Sequence, residues 1–225
     1  AKLLFDLTAK YGTPYFQNYI GSNLDPGSIR AMCCRLNMNT NELMNRPGSM
    51  WGPGDSTGSI GVMTLNLNRM AYEAKTETEF QDSIKRYMLL SKDALEIKRK
   101  LITKNLKNGL MPYTKQYLGT FKNHFSTIGL VGMHEASMNL LGKGIETEEG
   151  TRFAIDTLTF MRDICLEFQK ETSNLYNLEA TPAESTAYRF ARLDKKFHPE
   201  IFTSGGEEPY LTNSSQYPVD KTEDA

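Results

Sequence analysis

Apolar residues recur near helical spacing through residues 77–108, at Phe80, Ile84, Tyr87, Leu90, Ala94, Ile97, Leu101 and Ile102. This pattern predicts a long amphipathic helix that stops at Gly109. A second stripe, Phe153, Leu158, Met161, Ile164, Cys165 and Phe168, predicts a helix over 148–175. A shorter helix is expected to begin near Gly132, and another to span 184–193. The strands are shorter. The best cover 29–36 and 59–67, where Ile60, Val62, Thr64 and Leu65 form a β-like pattern, and 125–131 and 178–180 are further candidates. The stretch 37–58, rich in Asn, Gly and Pro, reads as a loop. Strands alternating with long helices predict an α/β fold.

Composition narrows the class. A chain of 225 residues can form one large domain with a well-buried core. A formal net charge of -1 gives no basic surface, so nucleic acid is not an expected partner. No apolar run is long enough to cross a bilayer, and the first residues lack a secretory pattern, so no membrane role is expected. The three cysteines make neither a disulfide framework nor a Cys-x-x-Cys site, which points to a reducing cytoplasm. His124, His134 and His198 are scattered without ligand spacing, so no metal site is expected. Both ends read as excerpt boundaries.

Candidate chemistry starts at Cys33 and Cys34, adjacent in Ser28-Ile-Arg-Ala-Met-Cys-Cys-Arg-Leu-Asn37. Adjacent cysteines suit disulfide geometry poorly, but they suit chemistry in which one sulfur acts with another in reach. Four further blocks stand out, in order: Gly58-Ser-Ile-Gly-Val-Met-Thr-Leu-Asn-Leu67, Asn123-His-Phe-Ser-Thr-Ile-Gly-Leu-Val-Gly-Met-His-Glu-Ala136, Ala180-Thr-Pro-Ala-Glu-Ser-Thr-Ala-Tyr-Arg-Phe-Ala191 and Tyr210-Leu-Thr-Asn-Ser-Ser215. Together with Tyr11-Gly-Thr-Pro-Tyr-Phe16, these resemble the central catalytic region of the anaerobic (class III) ribonucleoside-triphosphate reductases, over nearly the whole chain. Two positions depart from the family pattern. Asn68 stands where proline is expected, at what reads as a strand end, and His134 stands where asparagine is usual.

The resemblance implies part of a ten-stranded α/β barrel, with a central finger loop that carries the reactive cysteine. All 225 residues would then be an internal portion of one catalytic barrel domain. It implies reduction of ribonucleoside triphosphates through a thiyl radical. The glycyl radical that generates the thiyl would lie outside this segment, as would the allosteric region. The implied reductant is formate or a redoxin. The implied partners are a radical-SAM iron–sulfur activase and a second copy of the intact enzyme in a homodimer.

Residue by residue, Cys34 before Arg35 matches the cysteine that becomes the thiyl, and Cys33 is an accessory reductant or a redox-exchange partner; alternatively, both are small buried hydrophobes. Cys165, on a helical stripe, reads as core. Asn66, a polar amide in an apolar strand, matches a group that holds a ribose hydroxyl; alternatively, neighbouring backbone satisfies it. Glu135 is a candidate proton-handling carboxylate, or an exposed glutamate at a helix start. Thr181, Ala183, Ser185 and Thr186 match a triphosphate cradle, with Glu184 as a cap or orienting group; the bare motif also fits an ordinary capped helix start. Asn213 is expected near the phosphates or sugar, or in a plain loop. Three other functions compete with the reductase reading, the weakest being a conventional cysteine hydrolase, for which no convincing His partner stands out; the other two are stronger. One is a glycyl radical lyase of the pyruvate formate-lyase kind, against which the cradle argues, and the other is a non-catalytic nucleotide-binding module.

Overall fold

A computed structural model describes residues 2–11, 29–31, 37–39, 57–180 and 182–221. It separates the chain into two units, Ala1–Asp55 and Ser56–Ala225. In the first unit, helix α1 spans Lys2–Tyr11 and strand β1 (Ile29–Ala31) pairs antiparallel with β2 (Asn37–Asn39). Of the strand expected over 29–36, Ile29–Ala31 is a strand and 32–36 lie outside the described residues, and the expected loop opens with a strand. Asn-Met-Asn has little strand propensity, but the ladder to β1 pairs its backbone groups, and that overrides the local preference. Cys33 and Cys34 lie between β1 and β2 in sequence, outside the described residues.

The second unit is built on a parallel sheet of β3 (Gly58–Asn66), β4 (His124–Val131) and β5 (Leu175–Glu179), in that order. Between β3 and β4 run α2 (Leu67–Glu73), α3 (Glu77–Lys107) and α4 (Pro112–Tyr117). Between β4 and β5 run α5 (Met133–Leu141) and α6 (Glu148–Thr172). After β5 come α7 (Glu184–Phe197) and a short 3-10 turn, Val219–Lys221.

Local chemistry explains the boundaries. Thr76 Oγ1 caps α3 by accepting from Glu79 N, with Glu77 and Glu79 in the first turn and Lys104 and Lys107 in the last. Thr147 caps α6 through Gly150 N. The backbone leaves α6 at Ser173, which is left-handed at φ 59, so β5 begins at Leu175 and not at 178. The face of α3 that packs inward runs Phe80, Ile84, Met88, Ser91, Leu95 and Arg99. Leu90, Ile97 and Leu101, expected on the same stripe, are exposed. At about 100° per residue, Leu90 sits roughly 80° around the helix from Phe80, outside the buried arc.

The main core lies between one sheet face and helices α2, α3, α5 and α6. It includes Leu65, Ile128, Leu130, Phe80, Phe153 and Phe168, and Cys165 as expected. On the other face of β4, Val131 packs with Ala187 and Ala191 of α7 and with Leu211. Because β4 is covered on both faces, the run from Ser126 to Val131 is buried without alternation. The side chains of β3 alternate, so Leu65 enters the main core while Asn66 takes the α7 side.

Candidate active site

The site is organised at the C-terminal edge of the sheet. Register pairs Asn66 with Val131, and an antiparallel bridge pairs Val131 with Asn213. Asn66, Val131 and Asn213 thus form a row across the edge. Neighbouring strands lie about 5 Å apart, so the two asparagines stand about 10 Å from one another.

Asn66 ends β3 and caps α2. Its Oδ1 accepts from Arg69 N at 3.1 Å, and its Nδ2 donates to Asp194 Oδ2 at 2.8 Å. Neighbouring backbone therefore satisfies the carbonyl end, while a carboxylate distant in sequence holds the amide end. Arg69 Nη1 lies 3.5 Å from the other Asp194 oxygen. Burial pushes the Asp194 carboxyl above the ordinary range, while Asn66 and Arg69 pull it back.

At the other end of the row, Asn213 Oδ1 accepts from Ala183 N at 3.2 Å, and its Nδ2 donates to Glu184 Oε1 at 3.2 Å. Ala183 is the N-cap of α7 and gives no side-chain cap, so Asn213 supplies a partner from across the fold. Glu184 is exposed in the first helical turn. Ser185 is exposed and Thr186 is half-buried, and neither hydroxyl makes a hydrogen bond among the described residues. Thr181 lies outside the described residues. A cavity of about 250 Å³ opens here, lined by Glu184, Ala187, Tyr210, Asn213 and Tyr217 among others.

Glu135 is fully buried in the first turn of α5, so the reading of an exposed helix-start residue is corrected. The chain enters α5 through Gly132 at φ 80, and a Cβ there would stand 3.2 Å from Asn68 Cβ. This turn points Glu135 inward. Its Oε2 accepts from Thr212 N at 3.1 Å and Thr212 Oγ1 at 2.8 Å, and Oε1 accepts from Ser204 Oγ. His134 beside it is buried, with its ring edge-on to Tyr217 at 5.5 Å and Nδ1 3.6 Å from Glu146. Asn68 is not at a strand end. It is buried in α2, where its Nδ2 donates to Phe202 O at 3.1 Å and its Oδ1 accepts from Asn139.

The structure thus brings Asn66, Ala183, Glu184 and Asn213 to one edge, with Glu135 behind Asn213. Asp194, Ser204 and Thr212 were not anticipated. Asp194 did leave a signal: it continues the buried stripe of Ala187 and Ala191, where a carboxylate needs a specific partner. Among the described residues no cluster of three or more His, Cys, Asp or Glu could hold a metal ion, and no helix is long and apolar enough to cross a membrane.

Comparison with known proteins agrees with this architecture. The family model for anaerobic ribonucleoside-triphosphate reductase matches residues 1–225. The anaerobic ribonucleoside-triphosphate reductase of Haemophilus influenzae is 30% identical over 185 residues, covering 74% of this chain and 26% of the relative. That of Enterobacteria phage T4 is 26% identical over 161 residues, covering 62% and 25%. The chain thus spans about a quarter of the length of the curated relatives it matches. The crystal structure of the Thermotoga maritima anaerobic ribonucleotide reductase in complex with dATP and CTP is similar at TM-score 0.64 and 26% identity, over 73% of this chain and 28% of that one. A whole-length family match, with an α/β fold like that of the solved relatives, means that this chain belongs to the anaerobic ribonucleoside-triphosphate reductase family.

Proposed function

We propose that this chain is the nucleotide-holding, thiyl-bearing part of an enzyme that reduces ribonucleoside triphosphates to deoxyribonucleoside triphosphates. The observation that carries the reading is the row from Asn66 to Asn213. It sets a buried-edge amide and a helix N-terminus on one line, at a separation suited to a ribose and its phosphates. In this reading the sheet is part of a ten-stranded barrel completed by the rest of the polypeptide, in the cytoplasm.

The ribose C3′–H bond is not acidic, so acid–base side chains cannot open it, whereas a sulfur radical can. Cys34 gives its thiol hydrogen atom to a glycyl radical held outside this chain, and its sulfur then takes the 3′ hydrogen atom. With a proton added, the 2′ hydroxyl leaves as water. Formate or a redoxin supplies two electrons, and Cys34 returns the hydrogen atom to C3′. The net change is addition of two electrons and two protons and loss of one water. Cys33, adjacent to Cys34 in sequence, serves as accessory reductant. Asn66 holds a ribose hydroxyl and so fixes the sugar at the sheet edge.

The phosphates take the first turn of α7. Free backbone N–H groups and the hydroxyls of Thr181, Ser185 and Thr186 bind the anion, with Ala183 and Asn213 setting the turn. Glu184 orients Asn213 and does not ligate phosphate, since like charges repel. Ser204 and Thr212 already engage both oxygens of Glu135, which makes it a brace for the 201–217 segment before it is a proton carrier. A radical-SAM iron–sulfur activase and a homodimeric intact enzyme complete the proposal.

The test is Cys34→Ser in the intact, activated protein. It should lose turnover while nucleotide affinity stays near wild type, because sulfur abstracts hydrogen but does not hold phosphate. Cys33→Ser should be milder or rescued by another reductant. Substantial deoxynucleotide formation by Cys34→Ser would remove the assignment.

A further inference from the structure

We infer that Asp194 is a positioning residue for turnover, locking the Asn66 side-chain amide in the one orientation that offers a hydrogen-bond donor to the substrate ribose. The inference rests on the reading that Asn66 binds a ribose hydroxyl.

An asparagine amide has two donor hydrogens on nitrogen and one acceptor oxygen, and rotating it by half a turn exchanges them. Two fixed groups decide the orientation here. Arg69 N–H can only donate, and it faces Oδ1 at 3.1 Å. Asp194 Oδ2 faces Nδ2 at 2.8 Å, and an ionised carboxylate can only accept. The reversed amide would set an N–H against an N–H and an oxygen against a carboxylate, so both contacts would become repulsive. In the observed orientation one Nδ2 hydrogen is committed to Asp194 and the second stays free for a ligand. Asn66 is half-buried and reachable.

Asp194 is itself held rigidly. It is only 4% exposed, it sits on the inner stripe of α7 with Ala187 and Ala191, and its second oxygen faces Arg69. A buried carboxylate is costly unless it is paired and hydrogen-bonded, and these partners meet that cost. Its place on α7 matters as well. The first turn of this helix meets Asn213 through Ala183 and Glu184, and Asp194 lies ten residues after Glu184, about 15 Å along the axis. One rigid element therefore ties the anion end of the site to the amide end. A nucleotide that docks its phosphates at the first turn meets an amide donor, Asn66 Nδ2, whose orientation that same helix sets.

The inference predicts a loss in kcat and not in KM, because removing the Asp194 carboxylate frees Asn66 to rotate and leaves the phosphate end intact. The experiment is a double-mutant cycle in the intact, activated enzyme with Asp194→Ala, Asn66→Ala and both together. Asp194→Asn runs in parallel, because it keeps an acceptor oxygen and most of the packing. Asp194→Ala should lower kcat by the order of 100-fold with KM within about twofold. Asp194→Asn should recover part of that loss, and the double variant should be no slower than Asn66→Ala alone. If Asp194→Ala does not fold, Asp194→Asn carries the same cycle. Losses that multiply in the double variant, or wild-type kcat in both Asp194 variants, would overturn the positioning role while leaving Asn66 as the ribose ligand. Wild-type turnover by Asn66→Ala would overturn the ribose reading and the inference with it.

Discussion

Thr212 places two donors on one oxygen of Glu135, its backbone N–H at 3.1 Å and its Oγ1 at 2.8 Å, and neither group is exposed to solvent. The two residues are 77 positions apart in sequence, and their contact pins the segment that carries Asn213 against α5. Gly132 N donating to Thr212 O at 2.8 Å and Met133 N donating to Ser214 O at 3.1 Å extend the same seam. The grip of Asn213 on Ala183 therefore depends on a carboxylate that does not itself line the cavity.

Glu135→Ala should destabilise the intact protein by about 3 kcal/mol, because it strands buried donors of Thr212 and Ser204. Triphosphate affinity should fall with it as Asn213 loosens. Thermal unfolding and nucleotide titration check both outcomes. Glu135→Gln separates bracing from catalysis. A brace predicts partial loss of stability with turnover retained, whereas a proton-handling role predicts lost turnover at unchanged affinity.

The long elements were legible because periodicity is a local property. Helices α3 and α6 follow from apolar spacing and β3 from its branched residues, each within a few residues of its observed bounds. The order of the sequence blocks also pointed to the family that the comparisons show. The pairings were not legible. Nothing local says that Asn66 meets Asp194 or that Glu135 meets Ser204, because those contacts depend on how α7 and the 201–217 segment return to the sheet edge. The inward face of α3 is not legible for a related reason. Leu90, Ile97 and Leu101 make a second apolar stripe, and only tertiary packing selects between the two. Arg99 belongs to the selected stripe, since its guanidinium donates to His124 O and Ser126 Oγ at the opposite end of the sheet.

Replacing Ser185 and Thr186 together by Ala should weaken triphosphate binding by roughly 1–3 kcal/mol, the scale of hydrogen bonds to charged groups. Both hydroxyls lack partners among the described residues, so the fold should lose little. Affinity for the nucleoside without phosphates should barely change. Equal weakening for both ligands would point to damage in α7 and not to a lost cradle.

Cys165 should resist alkylation in the folded protein. Burial pushes its thiol up to about 12, and the thiolate is the reactive form. Iodoacetamide at mildly alkaline pH, followed by peptide mapping, should label Cys34 well before Cys165, with both labelled in denaturant. Comparable rates in the native protein would mean that α6 opens readily or that Cys34 is not reachable.

Acid should weaken the fold through His124. Its side chain is buried at the start of β4, its Nδ1 has no hydrogen-bond partner among the described residues, and the ring packs edge-on to Phe121 at 5.2 Å. Burial, with the neighbouring Arg99 guanidinium, lowers its pKa below the ordinary histidine value of 6.5. A depressed folded-state value means that the unfolded chain takes up the proton first. The stabilisation from a neutral His124 is therefore complete above 6.5 and is lost as pH falls toward the folded value. His124→Asn removes the titration and keeps a small polar side chain in the space beside Gly58. From pH 6.5 down to about 5, the wild-type melting temperature should fall more steeply than that of His124→Asn, and the two slopes should converge above neutrality. Parallel slopes across the whole range would show that the acid sensitivity arises elsewhere.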